Sequence, residues 1–573
     1  MKIEMDNNIN IFFDSKKDYD ISIEIAKTKL VHDNPNIRSY ANSQKFPKGF
    51  NSKIYSYSNS DYKKSLSIPR GSGNVLREIL KQLELKLSKD CIKDKTTKGH
   101  KIKFQHKFNS RDELQKKAIE SFLSSSKKHL ILQGSCGFGK TFCALKIVEL
   151  LSVSTLILVD ENLLLDQWID TITNDCEFNL DKLGIVGKGK EDYIDKDIIV
   201  ASKDTLINRP EIIDYINQNI GFVIVDEAHV ASADIFQKVL RVLTPNRVLG
   251  LTATPKRSDG LSYLMHEQIG PICFKADRKE LIKLGSVMNP ELRTIYVNRG
   301  KYFDEQFKEF KKKKLKELND ISPDKNGKYK IGNRLYTKAT WEKRKKEAFN
   351  MKTMDWNFLS NAVENDIDSI KEISKLIKYH YDRGDQSICI CKKIEFARKY
   401  LNALKELGVK ENEISLILGE TKSDERKELI KRAKDKELKI IITSSILDKG
   451  ISIDSANTLF LLYPSKNENS TEQRIGRVSR TQKGKEYAYV YDFIYDHGMF
   501  FSQFFKSQKI EYRECRFNVE KECTTYDFWK MKDFITNMTD HFYFHKDFKP
   551  IEIDINNLDE TLKKGNTLIV KSI

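Results

Sequence analysis

Gly134-Ser135-Cys136-Gly137-Phe138-Gly139-Lys140-Thr141 stands between an apolar run, His129-Leu130-Ile131-Leu132-Gln133, and a segment, 142–151, with apolar residues at helical spacing. The order is strand, glycine-rich loop, helix. Glycines let backbone N–H groups turn inward around phosphate oxygens, and the N-terminus of the helix adds partial positive charge. In that arrangement Lys140 reaches the β- and γ-phosphates of a nucleotide and the Thr141 hydroxyl ligates Mg²⁺. Gly134, Ser135, Cys136, Gly137, Phe138, Gly139, Lys140 and Thr141 are therefore candidate nucleotide-binding residues. An eight-residue pattern also recurs by chance, so the reading requires partners elsewhere in the chain.

The surroundings supply them. Continuous apolar runs at 155–159, 197–201, 222–225 and 247–251 alternate with helical segments, which predicts a parallel sheet covered on both faces. Ligands of such sheets bind at the carboxyl ends of the strands. One run ends in Asp226-Glu227-Ala228-His229, 86 residues after Lys140. Asp226 is suited to the Mg²⁺ shell, Glu227 to orienting and deprotonating an attacking water, and His229 to relaying nucleotide state to neighbouring loops. The next run leads into Thr252-Ala253-Thr254, whose hydroxyls at a strand end can bond the acidic cluster and couple hydrolysis to movement.

A second alternating region begins near residue 366, with strands expected at 387–391, 415–418, 440–443, 457–462 and 487–491 and no glycine-rich loop of its own. It carries Gln473-Arg474-Ile475-Gly476-Arg477-Val478-Ser479-Arg480, which sets two arginines three residues apart on one helical face. A guanidinium pair supplied from a second lobe stabilises the charge that develops in phosphoryl transfer. Upstream, residues 443–454 offer hydroxyls and backbone amides.

At 573 residues the chain is too long for one core, and three to four domains are expected. The net charge of +18 points to a polyanionic partner, nucleic acid before an anionic membrane surface. The N-terminus lacks an apolar signal core and no run approaches 18 apolar residues, so neither a signal peptide nor a membrane span is expected. Nine cysteines include no paired C-x-x-C sets, which argues for buried thiols in a reducing compartment and against zinc. Residues 301–350 hold 16 Lys/Arg and 8 Asp/Glu. Two readings stand for this stretch: solvated charged faces, or a nucleic-acid contact with Tyr329, Tyr336 and Trp341 stacking on bases. Residues 1–105 read as a small α+β accessory domain, either facing nucleic acid or capping the next domain, with a helix over 75–87. The aromatic positions from Phe504 to Trp529 read as core rather than a base-stacking platform.

Taken together and in this order, the glycine-rich loop, Asp-Glu-Ala-His, Thr-Ala-Thr and Gln-Arg-Ile-Gly-Arg-Val-Ser-Arg resemble the superfamily 2 helicases over about residues 108–500. Within them the chain looks most like the DNA-acting branch of XPB-like and phage UvsW-type enzymes, a likeness carried by residues 251–260 and 473–477. The resemblance implies an α/β fold of two tandem RecA-like P-loop lobes, at 106–290 and 361–500. The accessory domain 1–105 would precede them, a basic insert 291–360 would separate them, and an extension 501–573 would follow. It implies ATP and Mg²⁺ as ligands and nucleic acid as partner, DNA before RNA; a monomer is expected, in the cytoplasm of a bacterial or phage-infected cell or in a viral replication or transcription compartment. Gln115 would read adenine, Asp448 and Gly450 would sense nucleotide or ribose, and Thr252 and Thr254 would couple the lobes. Gln473, Arg477 and Arg480 would act from the second lobe on ATP held by the first.

Two departures from the family pattern stand out. The position three before Gln115, usually arginine, is Asp112, with Arg111 one step further away. The strand at 156–159 runs into Asp160-Glu161-Asn162, two acids that would repel phosphates if they faced a nucleic-acid strand. Three functions share these motifs: a helicase or translocase remodelling branched or damaged DNA, a nucleic-acid-dependent ATPase that displaces transcripts or proteins, and a motor subunit of a nuclease. A binding module that has lost hydrolysis would require substitution at Lys140, Glu227 or Arg477, and all three are intact.

Overall fold

Alternation of apolar and polar residues builds the N-terminal sheet. The computed structural model describes residues 1–34, 51–86, 88–229, 234–253, 261–297, 356–444, 453–463, 468–495 and 567–570, with parts of 305–342, and the chain forms two units, Met1–Ser286 and Val287–Ile573. The first unit opens with β1 (Lys2–Met5), β2 (Asn8–Phe12), a hairpin of β3 (Val31–Asp33) and β4 (Lys53–Tyr55), then β5 (Ser58–Ser60), β6 (Ser65–Pro69) and β7 (Ile92–Asp94). The sheet order is β5-β6-β2-β1-β7, antiparallel except between β1 and β7. Ile3, Ile9, Ile11, Leu66 and Ile68 are buried with Tyr19, Ile23 and Ala26 of the helix Lys16–Lys29 and Val75 and Ile79 of the helix Gly73–Gln82. That second helix stops short of the expected residue 87, because Glu84 takes a left-handed backbone (φ 53°).

This α+β domain caps its neighbour. His32 Nε2 lies 2.7 Å from Glu267 Oε1, and its ring stacks on Tyr263 at 3.7 Å. The Asn7 side chain donates to the Arg241 carbonyl.

After a two-stranded ribbon of β8 (Gln105–His106) and β11 (Cys176–Glu177), the larger sheet comprises β9 (His129–Gly134), β10 (Thr155–Val159), β12 (Leu183–Gly187), β13 (Lys190–Asp192), β14 (Ile198–Ser202), β15 (Phe222–Val225), β16 (Arg247–Thr252) and β17 (Ile272–Ala276). The order is β13-β12-β14-β10-β15-β16-β9-β17, parallel throughout except for the edge hairpin to β13. Every residue of β10, β14 and β15 is buried, as helices on both faces require.

The second unit is a parallel sheet of the same kind. β18 (Glu291–Val297) belongs to it, although it comes from the stretch read as insert. A small hairpin follows, β19 (Tyr329–Ile331) with β20 (Arg334–Tyr336). The fully buried Trp341 stacks on Tyr329 there, at 4.9 Å and 7°, with Tyr336 at 6.0 Å. These aromatic rings pack on one another, with Tyr329 and Tyr336 half-buried around Trp341. Then come β21 (Ser387–Ile390), β22 (Ile414–Ile417), β23 (Ile440–Thr443), β24 (Thr458–Leu461), β25 (Tyr489–Tyr495) and β26 (Thr567–Val570), ordered β22-β23-β21-β24-β25-β18-β26 and all parallel. Cys389 and Cys391 are both buried in its core. The aromatic positions 504–529 lie outside the described residues.

Candidate active site

The loop after β9 turns through Gly137 (φ 85°) and Gly139 (φ 90°), a left-handed backbone that side-chain-bearing residues rarely adopt. The helix Lys140–Leu151 starts directly from Gly139. The loop is anchored on both sides. The Ser135 N–H and hydroxyl both donate to the Ala276 carbonyl at 3.3 Å. Lys140 Nζ reaches back to the Gly134 carbonyl at 3.0 Å, and Thr141 lies in the first turn of the helix. A lysine folded over a glycine-lined backbone loop at a helix N-terminus fits a polyphosphate.

Gln115 is buried against this loop. Its Nε2 donates to the Phe138 carbonyl at 2.8 Å and its Oε1 accepts the Arg111 N–H at 2.8 Å. A Cβ on Gly139 would lie 2.5 Å from that amide. Asp112, where the family pattern has arginine, is the N-cap of the helix Glu113–Leu123 and accepts the Gln115 N–H at 3.0 Å. It also accepts the Ser286 hydroxyl at 2.8 Å and Arg111 Nε at 3.1 Å. Burial opposes its ionisation, but these donors hold its carboxyl below the usual aspartate range. Arg111 thereby stays at the loop, donating to the Gly137 carbonyl at 3.3 Å.

Asp226 and the loop leave the same edge of the sheet. β15 and β9 are separated only by β16, so Asp226 and Gly134 stand roughly 10 Å apart across two strand spacings, with Thr252 between them. Asp226 is buried; its Oδ2 accepts Trp168 Nε1 at 2.8 Å and its Oδ1 accepts the Glu227 N–H at 2.9 Å. Burial and the adjacent Glu227 carboxylate push the Asp226 carboxyl up to about 6. Two neighbouring carboxylates that resist joint ionisation are hard oxygen donors of the kind that suits a divalent cation. Glu227 has a left-handed backbone, φ 47°, a strained state for a non-glycine residue. His229 Nδ1 lies 3.3 Å from Glu227 Oε2 and 3.4 Å from Thr252 Oγ1, so the acidic motif and the Thr-Ala-Thr strand end meet through this ring.

Of the two acids after β10, one is paired and the other starts a helix. Asp160 is buried and paired with Lys203 at 3.1 Å, and Glu161 is the N-cap position of the helix Asn162–Asp175. Lys203 is shared with Asp204 at 2.9 Å, so it offsets the Asp160 charge only in part.

In the second unit the helix Glu468–Val478 carries Gln473, half-buried, with Arg474 and Arg477 buried. Arg480 falls beyond the end of this helix, so Arg477 and Arg480 do not share one helical face. Its backbone bridges Val287 and its Nη1 pairs with Asp454 at 3.1 Å. Lys485 closes the helix end: its Nζ donates to the carbonyls of Val478 at 2.8 Å, Arg480 at 3.0 Å and Asp454 at 3.1 Å. Burial pushes its ammonium down to about 8. Thr254, Asp448 and Gly450 lie outside the described residues.

Sequence reasoning missed Trp168, the Asp112 cap, Lys203 and Lys485. Trp168 follows Leu164 and Leu165 at helical spacing and reads as core, while the lysines sit in ordinary polar stretches.

Two family models match the chain: the type III restriction enzyme res subunit over residues 108–257, and the helicase conserved C-terminal domain over residues 368–482. The DNA 3'-5' translocase XPB2 of Sulfurisphaera tokodaii is 26% identical over 65% of this chain and 79% of its own length. A protein of Sulfolobus islandicus filamentous virus designated helicase 22 is 29% identical over 52% of this chain, which spans 46% of that relative. The crystal structure of T4 UvsW superposes with a TM-score of 0.34 at 14% identity, covering 90% of this chain and 98% of that one. Among the described residues no helix is long and apolar enough to cross a membrane.

Proposed function

We propose that this chain, a superfamily 2 helicase related to the XPB branch and a nucleic-acid-dependent ATPase, couples ATP hydrolysis to movement along DNA and remodels branched or damaged duplexes. The reading rests on the convergence of Lys140, Asp226 and Glu227 at the carboxyl ends of β9 and β15. Gly134 to Gly139 wrap the phosphates with backbone N–H groups, and Lys140 leaves the Gly134 carbonyl to bind the β- and γ-oxygens. Gln115 reads the adenine edge, and Asp448 and Gly450 sense nucleotide or ribose. Thr141 and Asp226 would hold Mg²⁺, which would supply charge neutralisation at the phosphates. Glu227, kept in place by His229, orients the attacking water and takes its proton. Arg477 and Arg480, with Gln473 beside them, would supply the positive charge and hydrogen bonds that phosphoryl transfer needs. His229, Thr252 and Thr254 couple nucleotide state to movement.

DNA is favoured by the relative named as a DNA translocase, while the net charge of +18 suits either nucleic acid. Of the two readings of the basic stretch 301–350, solvated charged faces or a nucleic-acid contact, we favour phosphate contacts through its lysines, since Tyr329, Tyr336 and Trp341 pack on one another.

The test measures ATP turnover with DNA, with RNA and without nucleic acid, beside strand displacement on forks and junctions. Lys140→Ala and Glu227→Gln should each abolish turnover, and undiminished hydrolysis in either would refute the site. Turnover stimulated by DNA without displacement on any fork or junction would refute remodelling.

A further inference from the structure

β17 carries no motif, yet it is the edge strand beside the phosphate loop. Its pairing with β9 is irregular: Ile272 faces Ile131, but Phe274 faces Leu132, so Cys273 is an extra residue in the ladder. In a regular strand residues 272 and 274 share a face. The bulge turns Phe274 to the face opposite Ile272, and bulges re-aim side chains in this way beside functional sites. There its ring stacks on Phe138, with centroids 6.1 Å apart and planes 22° from parallel.

Phe138 is the residue this contact controls. Its side chain is fully buried and fills the space a Cβ on Gly134 would need, 2.4 Å from its ring. Its carbonyl is the acceptor for Gln115 Nε2. A shift of this ring therefore moves the start of the phosphate loop and the bond to Gln115 together.

We infer that Phe274 is a positioning residue for nucleotide binding: by clamping Phe138 it presets the phosphate loop in its binding shape. The inference rests on reading residues 134–141 as that loop. A preset loop binds its ligand without an ordering cost, so loss of the clamp weakens affinity rather than the chemical step.

Phe274→Ala and Phe274→Leu in the full chain test it. Two constants are read: the KM for ATP with saturating DNA, and the Kd of a fluorescent ADP analogue without nucleic acid. Loss of an aromatic pair predicts a rise of about three- to tenfold in both constants for Phe274→Ala, with kcat within about twofold. Phe274→Leu should recover most of the rise. A rise below twofold in either constant overturns the assignment whatever happens to kcat, because a loss confined to kcat or to melting temperature marks packing alone. Wild-type protein that neither binds the analogue nor hydrolyses ATP would instead overturn the nucleotide reading, and the inference with it.

Discussion

Replacing Trp168 with phenylalanine should make ATP hydrolysis more acid-sensitive. The substitution removes one donor, Nε1, from Asp226 Oδ2 and keeps an aromatic ring in the core. A hydrogen bond to a charged acceptor contributes about 1.5–3 kcal/mol, or about one to two pKa units at 1.36 kcal/mol each. The Glu227 N–H remains on Oδ1, so the lower end applies, and the Asp226 carboxyl rises further, by roughly one unit. The ionised fraction then falls from about a half to about a tenth at pH 6, and hardly changes at pH 8. Since Mg²⁺ needs the carboxylate, kcat/KM for MgATP should drop about fivefold at pH 6 and less than twofold at pH 8. Initial rates from pH 5.5 to 8.5 measure this, with circular dichroism melts confirming the fold. An equal loss at both pH values, or a wild-type profile without an acid limb, would refute the reasoning. The same shift has a consequence for stability. A carboxyl raised above its unfolded value favours the fold at low pH, and that contribution is lost as pH rises through about 6. Asp226→Asn should therefore raise the melting temperature of the nucleotide-free protein at pH 8 while abolishing turnover.

Gly71→Ala would set a Cβ 2.2 Å from the His266 carbonyl oxygen and 2.5 Å from that of Glu267, both backbone atoms. A loss of about 1–3 kcal/mol is expected in denaturant unfolding, with the KM for ATP unchanged. Asp112→Ala removes a helix cap worth about 0.5–2 kcal/mol and releases Arg111 and Gln115, so both a lower melting point and a severalfold higher KM for ATP are expected. An unchanged KM would separate the cap from the nucleotide site. Lys485→Met leaves three carbonyls without their donor and should cost about 1–3 kcal/mol. Between pH 8 and about 10.5 the unfolded chain holds a proton that folded Lys485 has lost, so wild-type stability gains with pH there. Denaturation at pH 8 and pH 10 should show that gain in the wild type and not in the variant.

What could be read from the chain was local. Gly134 to Thr141, and Asp226 to His229, are contiguous runs whose spacing from an apolar strand places them at a strand end, and the parallel sheets follow from runs such as 155–159 that are apolar on both faces. The arginines were harder. Their three-residue spacing implied one face, but the helix ends at Val478, and Arg480 is held instead by Asp454. Asp160 carries a charge whose meaning depends on Lys203, 43 positions later, and no periodicity links the two.

The sequence by itself determined the two α/β lobes, the phosphate loop and the acidic motif, because strand and helix periods and loop chemistry are encoded within a few residues. Only the tertiary structure decided which groups tune them. Burial and Glu227 raise the Asp226 carboxyl while the Trp168 donor opposes them, Asp112, itself bonded by Ser286, holds Gln115, and a bulge at Cys273 brings Phe274 onto Phe138. Each of these contacts joins residues from separate elements, and parallel strands become neighbours only through crossovers. Their registers, and hence the side chains that meet, exist only after the sheet has formed.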